Sequence, residues 1–130
     1  MKEVLTVHVL LDEFNEVHSD IADVTMITFH GTFESEAMTG IVLPGGVDTQ
    51  VEYKGEKRSL SARYILEGQI EGNTYRVFVE NNGFIVDGEI KTTPKVITDC
   101  PQLEYLENAK LSGIVEGAEG GVTVRVFMPE

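Results

Sequence analysis

Apolar residues recur at every second position through most of this chain, the period of a half-buried β-strand rather than of a helix. Leu5, Val7, Val9 and Leu11 fall on one face, with Thr6 and His8 on the other. Thr25, Ile27, Phe29, Gly31 and Phe33 repeat the pattern, and Met38, Gly40 and Val42 oppose Ile41 and Leu43 in a third segment. A fourth runs from about Asp48 to Tyr53 and turns at Lys54-Gly55-Glu56. In the fifth, Leu60, Ala62, Tyr64 and Leu66 lie opposite Ser61, Arg63 and Ile65. After a turn at Glu71-Gly72-Asn73 come Tyr75, Val77 and Val79. Asp87-Gly88 is the clearest two-residue hairpin signal, since both central positions of such a turn need positive φ. Thr74 to Val86 therefore reads as one long strand with Asn81-Asn82-Gly83 as a bulge inside it; the rival reading makes Asn82-Gly83 the turn. Glu89 to Ile97 returns. Ala109 to Glu116 and Val122 to Met128 form a closing hairpin around Gly117 to Gly121.

Only Asp99 to Leu106 is helix-like, one or two turns with Asp99 as cap and Pro101 in the first turn. About nine strands joined by tight turns make antiparallel neighbours. So many long strands expose unpaired edges unless the sheet closes. The expected architecture is all-β: a single antiparallel meandering β-barrel of about eight to ten strands, with a sandwich as the alternative. Within it, Leu43-Pro44-Gly45-Gly46 ends a strand, because proline gives no ladder donor and glycine admits unusual backbone angles. Asp48 follows at once, which predicts a polar side chain displayed at the rim of the sheet.

At 130 residues the chain reads as one domain, 1–130. Its net charge of −12, from 22 acidic and 10 basic residues, argues against binding nucleic acid or an anionic membrane. Lys54, Lys57 and Arg58 are the one small basic cluster, diluted by Glu52 and Glu56. The single cysteine, Cys100, has no internal partner and acidic neighbours, so it reads as a passive thiol. No apolar run has the length of a signal peptide or membrane span, and the expected location is cytoplasmic.

In chain order come Gly31-Thr32-Phe33-Glu34, then Gly40-Ile41-Val42-Leu43-Pro44-Gly45-Gly46-Val47-Asp48, then Ala62-Arg63-Tyr64. Asn81-Asn82-Gly83, Thr92-Thr93-Pro94 and Tyr105-Leu106 follow. Together these resemble the DUF3237 family (also called UPF0311), small proteins of unknown function. The resemblance implies a closed antiparallel barrel similar to the calycin-like and allene oxide cyclase-like barrels, and no activity. Where members often read Asp-Trp-Gln, this chain has Asp48-Thr49-Gln50, which removes an aromatic from any pocket wall. Members also often carry a longer insert near Asp87-Gly88.

Asp48 and Arg63 fall on the two strands of one hairpin, where a guanidinium would fork onto the carboxylate. The bland alternative is a salt bridge that fixes the hairpin. The expected ligand site, at the barrel mouth, draws on Phe33, Leu43, Asp48, Arg63, Tyr64 and Asn82. Tyr105 is expected to plug one barrel end. His8, His18 and His30 lack metal-ligand spacing and no cysteine accompanies them, so neither a zinc site nor another cofactor is expected. The acidic set Asp12, Glu13, Glu16, Glu34 and Glu36 reads as solvated surface rather than a cation loop. The leading function is a barrel that binds a small organic molecule. The alternatives are a cofactor-independent isomerase, cyclase or hydratase, and a homo-oligomeric structural protein pairing through edges near Leu5 or Val124.

Overall fold

The computed structural model describes residues 1–130 as nine strands and one short helix. In chain order the strands are β1 (Lys2–His18), β2 (Ala22–Ser35), β3 (Thr39–Val42), β4 (Val47–Tyr53) and β5 (Arg58–Ile70). β6 (Asn73–Val86), β7 (Glu89–Thr98), β8 (Ser112–Ala118) and β9 (Gly121–Met128) complete the set. All pair antiparallel, and β1 pairs with both β2 and β9, so the ring of hydrogen bonds closes into a barrel. No helix is long and apolar enough to cross a membrane.

β3 and β4 lie end to end in one place in the wall. β3 joins the end of β2 to the far half of β5, and β4 joins the start of β2 to the near half of β5. The barrel thus has eight strand positions, the size at which an interior is either filled by side chains or holds one small ligand. The interruption between β3 and β4 is the Pro44-Gly45-Gly46 run, where Gly45 takes φ +107. A side chain on Gly46 would lie about 3.0 Å from the Phe29 ring, so glycine lets this backbone press onto Phe29 and Tyr64. The break does not set Asp48 at the rim, as the sequence alone implied. It sets Asp48 in the wall, turned inward.

The alternation predicted for each strand matches the faces observed. Leu5, Val7, Val9, Phe29, Phe33, Met38, Val42, Leu60, Tyr64 and Leu66 are all buried, as are Val77, Val79, Val124 and Val126. Asn81-Asn82-Gly83 is neither bulge nor turn: β6 keeps unbroken register with β5 and β7 through all three residues. Glycine is needed at 83 because a Cβ there would lie 2.2 Å from the Lys91 carbonyl oxygen. The register does shift in β1, between Leu11 and Phe14 against β2 and between Glu3 and Leu5 against β9. The edges near Leu5 and Val124, expected to be free for a second copy, are used within the chain: Leu5 faces Val126 and Val7 faces Val124.

One end of the barrel is closed by a 3₁₀ helix, Pro101–Glu107. Cys100, not Asp99, occupies its cap position, and Asp99 Oδ1 instead accepts the Arg76 backbone N–H at 2.8 Å. Leu103 and Leu106 are the buried plug. Tyr105, predicted for that role, lies partly exposed and donates its hydroxyl to Glu36. Apolar side chains fill this half of the interior.

Candidate functional site

Residues directly opposite each other in antiparallel strands share a face. Asp48 on β4 is opposite Ala62 on β5, and Ala62 is opposite Asn81 on β6. Strands about 4.8 Å apart put the backbones of Asp48 and Asn81 about 10 Å from each other. The methyl of Ala62 is all that stands between them on the inner face. Tyr64, two residues along β5 on that face, forms the third side. The short side chain of Ala62 therefore leaves a hollow that polar groups surround.

That hollow is a cavity of about 100 Å³ in the barrel half away from the helix. Its walls are mainly apolar, with Leu11, Ile27, Phe29 and Leu60 among them, and its polar groups are Asp48, Gln50, Tyr64 and Asn81. Phe29 meets Tyr64 edge to face, centroids 5.4 Å apart at 78°, which fixes the tyrosine ring. Tyr64 is 4 % exposed and Asn81 2 %. Three buried oxygens have no hydrogen-bond partner and belong to residues lining this one space: Asp48 Oδ1, Tyr64 Oη and Asn81 Oδ1. Such orphans are rare, since each costs about 1–3 kcal/mol. The remaining buried orphan, Thr92 Oγ1, lies outside the cavity, where a Cβ on Gly113 would come within 2.3 Å of it.

A polar chain leads inward along β4 and β5. The Arg58 guanidinium donates through Nε to Gln50 Oε1 at 2.7 Å and through Nη2 to Thr25 Oγ1 at 3.0 Å. Its Nη1 lies 3.6 Å from Glu52. Gln50 Nε2 then donates to Asp48 Oδ2 at 2.8 Å. Burial raises the pKa of the Asp48 carboxyl above its ordinary value; the Gln50 hydrogen bond, the Arg58 charge and the Ser61 amide only partly oppose that. Burial alone pushes the Tyr64 hydroxyl up as well.

An acid with a raised native pKa makes stability fall as pH rises. Below the ordinary value both folded and unfolded chains hold the proton and nothing is lost. Through the window up to the folded pKa, the unfolded chain releases its proton first, and stability drops. The Asp48→Asn variant has no such proton. Its stability is expected to rise relative to wild type as the pH goes from about 4 to about 7. Urea denaturation of both proteins at the two pH values measures this. Equal differences at both would show that Asp48 titrates normally.

Of the predicted site residues, Asp48 and Tyr64 line the cavity. Arg63 does not: it is opposite Val47, one residue out of phase with Asp48, and points outward to Glu80 at 3.0 Å. Asn82 is likewise on the outer face, where its amide donates to Glu80 and its oxygen accepts from Ser61. Phe33 is buried in the filled half of the core, away from the cavity, and Leu43 is half-buried and also outside its lining. Thr49 pairs with Ser61 on the outer face, so an aromatic there would not wall the cavity. The residues that sequence reading missed are Asn81, Gln50 and Arg58. Continuing Tyr75, Val77 and Val79 by one more step without a bulge places Asn81 inside. The histidines lie on the β1–β2 hairpin, each exposed and bonded to a carboxylate: His8 to Glu34, His18 to Asp23 and His30 to Asp12, all at 2.8 Å.

A family model described as "Protein of unknown function (DUF3237)" matches residues 1–92. The chain belongs to the DUF3237 family. Among curated proteins, none has significant similarity to it. Three solved structures share the fold. A protein of unknown function from Clostridium acetobutylicum is 22 % identical with TM-score 0.85, covering 99 % of this chain and 98 % of its own. A conserved protein of unknown function from Rhodopseudomonas palustris is 22 % identical with TM-score 0.82, over 96 % and 93 %. A beta-barrel like protein from Acinetobacter baumannii is 20 % identical with TM-score 0.80, over 98 % and 93 %. These likenesses establish this DUF3237 chain's architecture.

Proposed function

We propose that this DUF3237 barrel binds a small organic molecule in the Asp48–Tyr64–Asn81 cavity. The observation that carries the reading is that three residues lining one mainly apolar space each hold a buried oxygen with no partner in the chain. A ligand with matching polar groups would satisfy them all and bury its apolar part against Phe29, Ile27 and Leu60. The cavity volume limits the occupant to something well below the 300–1,000 Å³ of drug-sized sites. A ligand of this kind would supply the hydrogen bonds that these three oxygens do not find within the chain.

A second reading, a cofactor-independent enzyme, is favoured by one feature of the same site. A carboxyl whose pKa is raised by burial, beside a phenol, is suited to moving a proton on a bound substrate. Binding is common to both readings and is tested first.

Freshly purified protein is expected to carry a small adduct in native mass spectrometry, or to show saturable backbone-amide NMR shifts around Ala62 with members of a panel of small amides, ketones, carboxylic acids and amines. Wild type at its bare mass, with a spectrum unmoved by the whole panel, would overturn the proposal.

A further inference from the structure

The hydrogen-bond chain that ends at Asp48 has a fixed polarity, and that polarity determines what the cavity offers a ligand. A guanidinium N–H can only donate. Arg58 therefore obliges Gln50 to turn its Oε1 outward, toward Nε at 2.7 Å. The Gln50 Nε2 is then the end that faces Asp48, and it donates to Oδ2 at 2.8 Å. Oδ2 is thus committed as an acceptor. A proton held by this carboxyl has to sit on the other oxygen, Oδ1, which is the one without a partner. Such a proton makes Oδ1 a donor on a side chain that lines the cavity.

Resting on the binding reading, we propose that the site selects an uncharged ligand bearing a carbonyl oxygen beside an N–H or O–H group, the chemistry of a small primary amide or urea. Asp48 Oδ1–H and Tyr64 Oη–H donate to the carbonyl oxygen, and Asn81 Oδ1 accepts from the neighbouring N–H. Charged ligands of the same size are poorly matched. A carboxylate meets no cation, because Arg58 is engaged outside the cavity by Gln50, Thr25 and Glu52. An ammonium requires ionised Asp48, whose burial among apolar walls the Gln50 hydrogen bond, the Arg58 charge and the Ser61 amide only partly offset. An interposed amide, in place of a direct guanidinium pair, keeps the Arg58 charge one residue away from the acid, and burial raises the carboxyl's pKa.

The substitution Asp48→Asn makes a sharp test. With Gln50 Nε2 in place, the new amide presents its oxygen to Gln50 and its NH₂ to the cavity, reproducing the protonated acid. Propionamide, propionate and propylammonium are titrated into ¹⁵N-labelled wild type, Asp48→Asn and Tyr64→Phe, following the Ala62 and Asn81 backbone amides. Propionamide alone is expected to saturate. Its affinity is expected to stay within about threefold in Asp48→Asn and to fall about tenfold in Tyr64→Phe, roughly the loss of one hydrogen bond. Saturation by propylammonium or propionate but not propionamide would overturn the ligand class and leave the binding reading standing. Loss of propionamide binding in Asp48→Asn would overturn the donor role of Oδ1. Failure of all three compounds to shift wild type would overturn the ligand class, and the binding reading falls with it only if the protein also runs at its bare mass and the whole panel leaves the spectrum unmoved.

Discussion

Phe33→Ala is expected to lower the free energy of unfolding by about 3–5 kcal/mol, the usual cost of removing a fully buried aromatic ring. Phe33 is 1 % exposed and heads the fully buried side chains by size. The register shows how little stands beside the space it leaves. On the inner face Phe33 is opposite Gly40, and Gly40 is opposite Gly68. The largest of the fully buried side chains therefore stands in a row with two residues that have none, and Met38, packed over Gly68, is the neighbour that would have to move to fill the gap. Equilibrium urea denaturation measures the effect. A cost below about 1 kcal/mol would mean that the wall relaxes inward, contrary to the packing described. Because Phe33 lies in the filled half of the interior, the affinity for any ligand at Asp48 is expected to be unchanged in whatever fraction remains folded.

Gly40→Ala is the second large effect, and it arises from a different cause. A Cβ at this position would lie 1.9 Å from the Glu67 carbonyl oxygen. That atom is backbone, so no side chain can move aside, and strands β3 and β5 have to separate. The expected cost is about 3 kcal/mol, at the upper end of ordinary overpacking. Gly40 has no positive φ. The loss is therefore one of strand contact, not of backbone strain. Amide hydrogen exchange discriminates the two: faster exchange at the β3–β5 ladder, with the β8–β9 hairpin still protected, is the expected pattern. A variant as stable as wild type would contradict the close approach of these strands.

The barrel itself was legible in the spacing of apolar residues. Period-two runs identified all the strands and grouped the apolar residues that share a face, and turns at Gly55, Gly72 and Gly88 were marked by residues that take positive φ there. The site was less legible, for reasons that can be named. Reading Asn81-Asn82-Gly83 as a bulge reversed the parity at its end and put Asn82 inside in place of Asn81. Gly83 has its glycine for close approach to Lys91, not for a bend, and composition does not separate those two uses. Arg63 was chosen because it breaks apolar parity, yet a charged residue out of phase with the core is the ordinary sign of an outward position. Arg58 was discounted as part of a solvated basic turn, although it shares the parity of Leu60 and Ala62 and so belongs to the inner face. Gln50 carries no signal by itself. Only the three-dimensional sequence Arg58, Gln50, Asp48 gives it a role.

The seam between β1 and β9 has a consequence for how the protein comes into being. The first strand cannot find its second neighbour until the last strand exists, since Lys2 is opposite Met128. During translation the growing sheet therefore stays an open ribbon with an unsatisfied border until β9 has emerged from the ribosome. Contacts of such long sequence separation are slow to form. The closing step, not the early hairpins, is expected to set the pace of folding, and the nascent chain is most exposed to mispairing with its own kind just before β9 is made.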